Sequence, residues 1–179
     1  MKEHTKKSCF TRTCIAEALL LLMKEKPLKE ITVTALVERA GVSRMTYYKY
    51  FTSTEEVLED YLYEMVKKYI REISEREDVG HFHDYVRIQY SFAFFGEYHE
   101  FFEILLKSNL YSIIINAVNQ FMEEFVLKQV NHTKYELYYY AGALCNTFAK
   151  WIEDGRREPI AAIAKEIENY MRIEKKSID

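Results

Sequence analysis

Little in this chain is suited to catalysis or to a membrane. Only two of its 179 residues are proline and five are glycine, so breaks are few and helices should dominate. Purely apolar runs such as Ala18 to Met23, the longest, and Ile113 to Ile115 fall far short of the roughly 20 residues a membrane span needs. The basic start MKEHTKKSC leads into no apolar stretch with a cleavage site, so no signal peptide is read and a cytoplasmic protein is expected. Three cysteines, Cys9, Cys14 and Cys145, make an odd count without CxxC spacing, which argues against a disulfide framework or a zinc knuckle. Cys145 lies in an apolar helical stretch and reads as a small buried thiol. Of the histidines (His4, His81, His83, His99 and His132), only His81 and His83 are close, and two residues apart they would point to different sides of a helix. No GxSxG, Gly-rich phosphate loop or HExxH is present. Hence no catalytic residue, no metal and no cofactor is expected, and the chain does not read as an enzyme.

Charge is present, and it is unevenly spread. Residues 1–54 hold ten Lys and Arg against five acids, whereas residues 55–179 hold fifteen against twenty-three. A basic head on an acidic body suits a protein that meets phosphates at one end only. Apolar residues recur at helical spacing throughout. The first helix is expected from about Lys6 to Lys24, ended by Pro27. The next two are Val33 to Ala40, capped by Thr32, and Arg44 to Tyr50, capped by Ser43. A long helix over 53–75 opens with a capping box, Ser53-Thr54-Glu55-Glu56. Beyond Gly80 five more are read: His83–Phe95, Tyr98–Lys107, Leu110–Lys128, Thr133–Asp154 (again with a capping box) and Pro159–Ile173. The fold class is therefore all-α, with about nine helices. A three-helix head over 1–53 precedes an antiparallel helical bundle over 54–179.

The stretch ITVTALVERAGVSRMTYYKYF, residues 31–51, has the layout of a helix-turn-helix DNA reader. Leu36, Ala40, Val42, Tyr47 and Phe51 supply contacts between the two helices, and Gly41 supplies the tight turn. The outer face of the second helix carries hydrogen-bonding groups. Arg44 and Thr46 suit base edges in a major groove, and Met45 suits a thymine methyl. Tyr48, Lys49 and Tyr50 suit phosphates, as do Thr32 and Thr34 at the start of the preceding helix and Ser43 at the start of the second. The expected partner is double-stranded DNA.

Ile31-Thr32-Val33, Leu36, Ala40-Gly41-Val42-Ser43, Thr46, Tyr48, Tyr50, Phe51, Ser53 and Glu55-Glu56-Val57-Leu58 together resemble the DNA-binding head of the tetracycline-repressor (TetR) family of bacterial transcription regulators. The resemblance covers about a third of the chain. It implies a three-helix head joined by a fourth helix to a ligand-binding body. It also implies DNA contacts at Thr32, Arg44, Met45, Thr46, Tyr48, Lys49 and Tyr50. The chain departs from the family at two positions: many members have glycine at Met45 and lysine at Thr54, where a phosphate contact would then be weaker. In the body, Phe101-Phe102 with Leu105-Leu106, and Tyr140-Ala141-Gly142 with Lys150 to Gly155, look like the subgroup that includes regulators of dihydroxyacetone kinase operons.

A single head makes few contacts, so a homodimer on a palindromic operator is expected. The dimer interface is expected on the last two helices. One row is Ala141, Gly142, Cys145 and Ala149; the other is Ile160, Ile163, Ile167 and Met171. The body is rich in aromatic residues, whose rings leave gaps between helices. A pocket lined by Phe92, Phe95, Phe102, Leu106, Ile114, Tyr139 and Phe148, with Asn119 as an orienting amide, would take a small apolar or aromatic ligand. The leading expectation is a ligand-responsive repressor. The alternative is a TetR-like adaptor or co-activator that works through protein contacts without an inducer.

Overall fold

The computed structural model describes the backbone of residues 2–128 and 133–176, and the side chains of residues 8–128 and 133–171. Among these residues there are nine α-helices and no strands. They are α1 (Lys2–Met23), α2 (Val33–Ala40), α3 (Arg44–Tyr50), α4 (Thr54–Ser74), α5 (Tyr85–Gly96), α6 (His99–Lys107), α7 (Tyr111–Phe121), α8 (Lys134–Glu153) and α9 (Ile160–Lys176). The all-α expectation holds, and α2 and α3 begin and end where their caps place them.

The caps explain that agreement. The Thr32 hydroxyl accepts from the Ala35 amide at 3.2 Å and the Ser43 hydroxyl from the Thr46 amide at 3.0 Å, each satisfying a donor the helix start leaves orphaned. Gly41 ends α2 at φ 66°, a left-handed conformation that glycine adopts without strain. Two boundaries differ from expectation. Ser53 caps α4 through the Glu56 amide at 3.1 Å, but the Glu56 carboxylate turns chiefly to Thr52, with only a weaker contact to the Ser53 amide. It accepts from the Thr52 amide at 2.6 Å and the Thr52 hydroxyl at 2.8 Å, so the box closes one residue further back. The helix expected over Leu110–Lys128 is α-helical only to Phe121 and continues as a single π-type turn, Met122–Val126. Such wide turns commonly mark places where a helix wall must bulge around something. The Thr133–Glu136 capping box forms as expected.

The core runs without interruption from head to body. Ile15, Leu19, Leu36, Tyr47, Phe51, Val57 and Leu58 pack together in the head. The same cluster continues through Leu62, Met65 and Val66 of α4 to Ile88, Phe92, Phe102, Leu105, Ile114 and Phe148. Helix α4 therefore contributes to both regions, packing on α1 and on α7. An ion-pair cluster reinforces the α1–α4 crossing, with the Arg12 guanidinium on both Asp60 and, at 3.0 Å, Glu64. Burial holds the Asp60 carboxyl above the usual carboxylate range although Arg12 opposes it. Against its own burial, the Arg12 guanidinium is in turn held above its ordinary value by Asp60 and Glu64, so the cluster ties α1 to α4. On the surface, Lys24, just past the end of α1, reaches Glu100 of α6 at 2.5 Å.

Helix α5 packs along α9. Asp84 precedes α5 but makes no capping bond to it. The buried Glu168 of α9 takes that place, accepting from the Tyr85 amide at 3.4 Å while its other oxygen meets Lys165 at 2.9 Å. An anion at a helix start is favourable there.

Because one core spans both regions, Leu58→Ala in the head is expected to destabilise the body as well. It should cost about 2–5 kcal/mol. Fluorescence of the single tryptophan, Trp151 of α8, should report that loss at the same denaturant midpoint as far-ultraviolet circular dichroism. A Trp151 transition that stays at the wild-type midpoint would show two independent units instead.

Candidate nucleic-acid interface and body cavity

Helices α2 and α3 form a two-helix corner set by Tyr47. Its ring is fully buried against Phe51, with ring centres 5.9 Å apart, and it turns the opposite side of α3 outward. Met45 is 84% exposed and Tyr48 61% exposed, and Arg44 and Lys49 are exposed beside them. The Arg44 guanidinium donates to the Thr34 hydroxyl, tying the start of α3 to α2. Ser43 and Thr46 share a hydroxyl hydrogen bond of 2.9 Å. Thr32 is exposed, Thr34 and Thr46 are half-buried, and the Lys49 ammonium lies 5.3 Å from the centre of the Tyr50 ring. Tyr50 is held differently. A hydrogen bond with Ser8, aided by Lys49, lowers its hydroxyl pKa, so the end of α3 is fastened to α1. Thr54 hydrogen-bonds Glu55 at 3.2 Å.

In the body a cavity of about 100 Å³ lies between α4, α5, α6, α7 and α8. Phe92, Phe95, Phe102, Ile114 and Phe148 line it, as expected from the sequence. Three expected residues do not. Tyr139 is 63% exposed on the outer side of α8, Leu106 packs at the edge of the core, and Asn119 lies outside the lining, its buried oxygen without a partner among the described residues. The walls also include Leu62, Val66 and Tyr69 of α4, Arg87 and Ser91 of α5, and Met122 and Val126 of the π-type turn. Tyr140 of α8 completes one end, its hydroxyl donating to the Phe82 carbonyl at 2.6 Å. Cys145 also lines the cavity, and burial pushes its thiol up to about 12, which makes it unreactive.

The expected row on α8 needs correction. Ala141, Cys145 and Ala149 are buried inside the protomer, because they share the inward face of Leu137, Tyr140, Phe148 and Ile152. Gly142 stands off that face, with open space where a side chain would be. The outward stripe of α8 is Tyr135 (75% exposed), Tyr139, Gly142, Ala143 and Asn146. On α9, Ile160, Ile163, Ile167 and Met171 are half-buried, and Tyr170 beside them is 71% exposed. Asn146 and Ile163 line one open groove between the two helices.

Residues 15–61 match the family model described as bacterial regulatory proteins of the tetR family, and residues 87–172 match that described as a transcriptional regulator C-terminal region. The chain belongs to the TetR family. Solved TetR-type structures share its fold over nearly its whole length. The dihydroxyacetone kinase operon activator DhaS is 20% identical, with 93% of this chain and 96% of that one covered and a TM-score of 0.59. The fatty acid degradation regulator FadR from Bacillus halodurans is 18% identical over 88% and 92%, with a TM-score of 0.57. A TetR-family regulator from Syntrophomonas wolfei is 17% identical over 90% and 93%, with a TM-score of 0.61. No curated protein sequence matches this one. At these identities the likeness is one of fold.

The protein is thus a TetR-type transcription regulator with a DNA-binding amino-terminal region. Among the described residues no group of three metal-ligating side chains occurs, and no helix is long and apolar enough to cross a membrane. His4 and His132 lie outside the described side chains. His81 and His83 are not on a helix: they sit in the loop before α5 with their rings parallel and 5.9 Å apart. Two features of this TetR body could have been found from sequence. Arg87, Ser91 and Phe95 recur every four residues on one face of α5, and Leu137, Ala141, Cys145 and Phe148 mark the inner phase of α8.

The TetR head gives distinguishable expectations for two side chains. Arg44→Ala should relax preference at one base position, costing about 1–3 kcal/mol there. Lys49→Ala should weaken binding evenly across sequences and reduce the salt slope by about one. Competition binding on single-base operator variants at two salt concentrations reads both. An Arg44→Ala protein with its base preferences intact would contradict the assignment.

Proposed function

We propose that this TetR-type regulator is a homodimeric repressor of a palindromic operator, acting in the cytoplasm, and that a small apolar or aromatic molecule in the body cavity releases it from DNA. One observation carries the reading. Helix α4 lies in the head core at Val57 and Leu58 and walls the cavity at Leu62, Val66 and Tyr69. A ligand that favours one placement of that wall also favours one placement of the head, which is the differential binding a switch requires. The cavity equally favours this reading over an adaptor that needs no small molecule.

The dimer would form through the outward stripe of α8, Tyr135, Tyr139, Gly142, Ala143 and Asn146, together with Ile163, Ile167 and Tyr170 of α9. Two-fold symmetry sets this patch against its own copy, and the open space at Gly142 lets a partner helix approach closely. The heads would meet DNA through Thr32, Thr34, Ser43, Arg44, Met45, Thr46, Tyr48 and Lys49. Tyr50 would act chiefly by fastening α3 to α1.

Selection from a random DNA pool should return an inverted repeat with half-site centres roughly 34–36 Å, or a multiple, apart. The double variant Tyr139→Glu, Tyr170→Glu should sediment as a monomer and bind that operator at least ~100-fold more weakly, since linked heads gain that much over single ones. A wild-type protein that sediments as a monomer, or that selects no repeat, would overturn the proposal.

A further inference from the structure

The polar end of the body cavity has a one-sided hydrogen-bonding capacity. Ser91 donates to the Arg87 carbonyl at 2.8 Å, so in its 2.7 Å contact with Tyr69 it must accept, and Tyr69 donates. Tyr140 has donated to the Phe82 carbonyl. The hydroxyl protons are therefore spent, and among the described lining residues the Arg87 guanidinium, which gives one hydrogen bond to Tyr69, holds the donors that remain. Its Nε is buried and has no hydrogen-bond partner among the described residues.

Nearby acids are turned elsewhere. Asp84, one turn before Arg87, accepts from the His81 amide at 2.7 Å, and Glu168 meets Lys165 and the Tyr85 amide. Burial raises the Tyr69 and Tyr140 hydroxyl pKa values while Arg87 opposes the rise in both, by charge and, at Tyr69, by a hydrogen bond; Asp84 acts on Tyr140 in the opposite sense, so the cation lies beside the two rings with Asp84 at the Tyr140 side. Among the described residues no carboxylate is hydrogen-bonded to this guanidinium, and a cation so placed in an aromatic wall gains when an anion joins it.

We propose that the cavity takes a small monocarboxylic acid, its carboxylate paired with Arg87 and its ring or short chain among Phe92, Phe102 and Phe148. This rests on the ligand-responsive reading above and names its ligand class. Arginine is suited to the carboxylate because its fork of donors matches two oxygens. Size bounds the remainder. The cavity holds about 100 Å³, against roughly 150 Å³ for an apolar protein cavity known to admit benzene. One ring or a chain of similar bulk fits with modest adjustment, and a long acyl chain does not. A neutral analogue would leave the guanidinium unpaired, and sites built around a buried polar group discriminate strongly against ligands that lack its partner.

The test uses the full-length protein with benzoate, phenylacetate and hexanoate at about pH 7, each beside its neutral amide, by calorimetry and thermal shift. At least one acid is expected to bind, and to bind at least ~10-fold more tightly than its amide. Arg87→Met should remove that preference, and Arg87→Lys should restore part of it. Amides binding as well as acids would overturn the acid assignment and leave ligand response standing. No binding of any probe would overturn the assignment as well. If Arg87→Met does not fold, the acid and amide pairs on the wild type decide alone. Operator affinity in the presence of a bound acid separates the two readings: an Arg87-dependent acid that leaves DNA binding unchanged supports the ligand class and removes the inducer role.

Discussion

Head and body share one geometry because each buries half of the same helix. Val57 and Leu58 fill the space under Tyr47 and Phe51, and Leu62, Met65 and Val66, one and two turns later, belong to the body. Arg12 grips Asp60 and Glu64 between those two sets. A helix is stiff over two turns, and close-packed interiors respond to a changed wall by shifting as units. Whatever moves Leu62 and Val66 must therefore move Val57 and Leu58 or break the core. In the proposed mechanism this rigidity takes the place of any specialised relay.

Much of this was legible from the sequence, for identifiable reasons. The head was clearest because its signals are local. Thr32, Gly41, Ser43 and Ser53 are caps and turns whose physics acts within four residues, and they fixed α2, α3 and the start of α4. The all-α body followed from helical spacing and the scarcity of proline and glycine. The division at residue 53 was a weaker reading. A composition change is visible there, but whether a core continues across it depends on contacts between distant residues.

The body site was only half legible because it depends on helical phase and depth. Phe92, Phe95, Phe102, Ile114 and Phe148 were found because large rings on apolar faces point inward. Tyr139 was misplaced by one position, since Tyr138, Tyr139 and Tyr140 are alike in composition and only Tyr140 shares the phase of Leu137 and Ala141. The same phase explains why Ala141, Cys145 and Ala149 face the core. Small residues allow close approach of helices, and here the close neighbours lie within the protomer. The π-type turn at Met122–Val126 left no local signal. Nor did Glu168, which stands in as the cap of α5 from 83 residues away.

The central claim is that filling the cavity moves the heads through α4. Ala117→Phe tests it without any ligand, because Ala117 lines the cavity on α7, a helix packed against α4. A spin label at Met45→Cys, with Cys9 and Cys14 replaced by serine, reports the distance between the two recognition helices of the proposed dimer by pulsed electron resonance. The account predicts one narrow distance in the parent protein and a shift on the order of a few Å in the Ala117→Phe variant, with loss of operator binding. A folded variant whose distance and operator affinity both match the parent would contradict it.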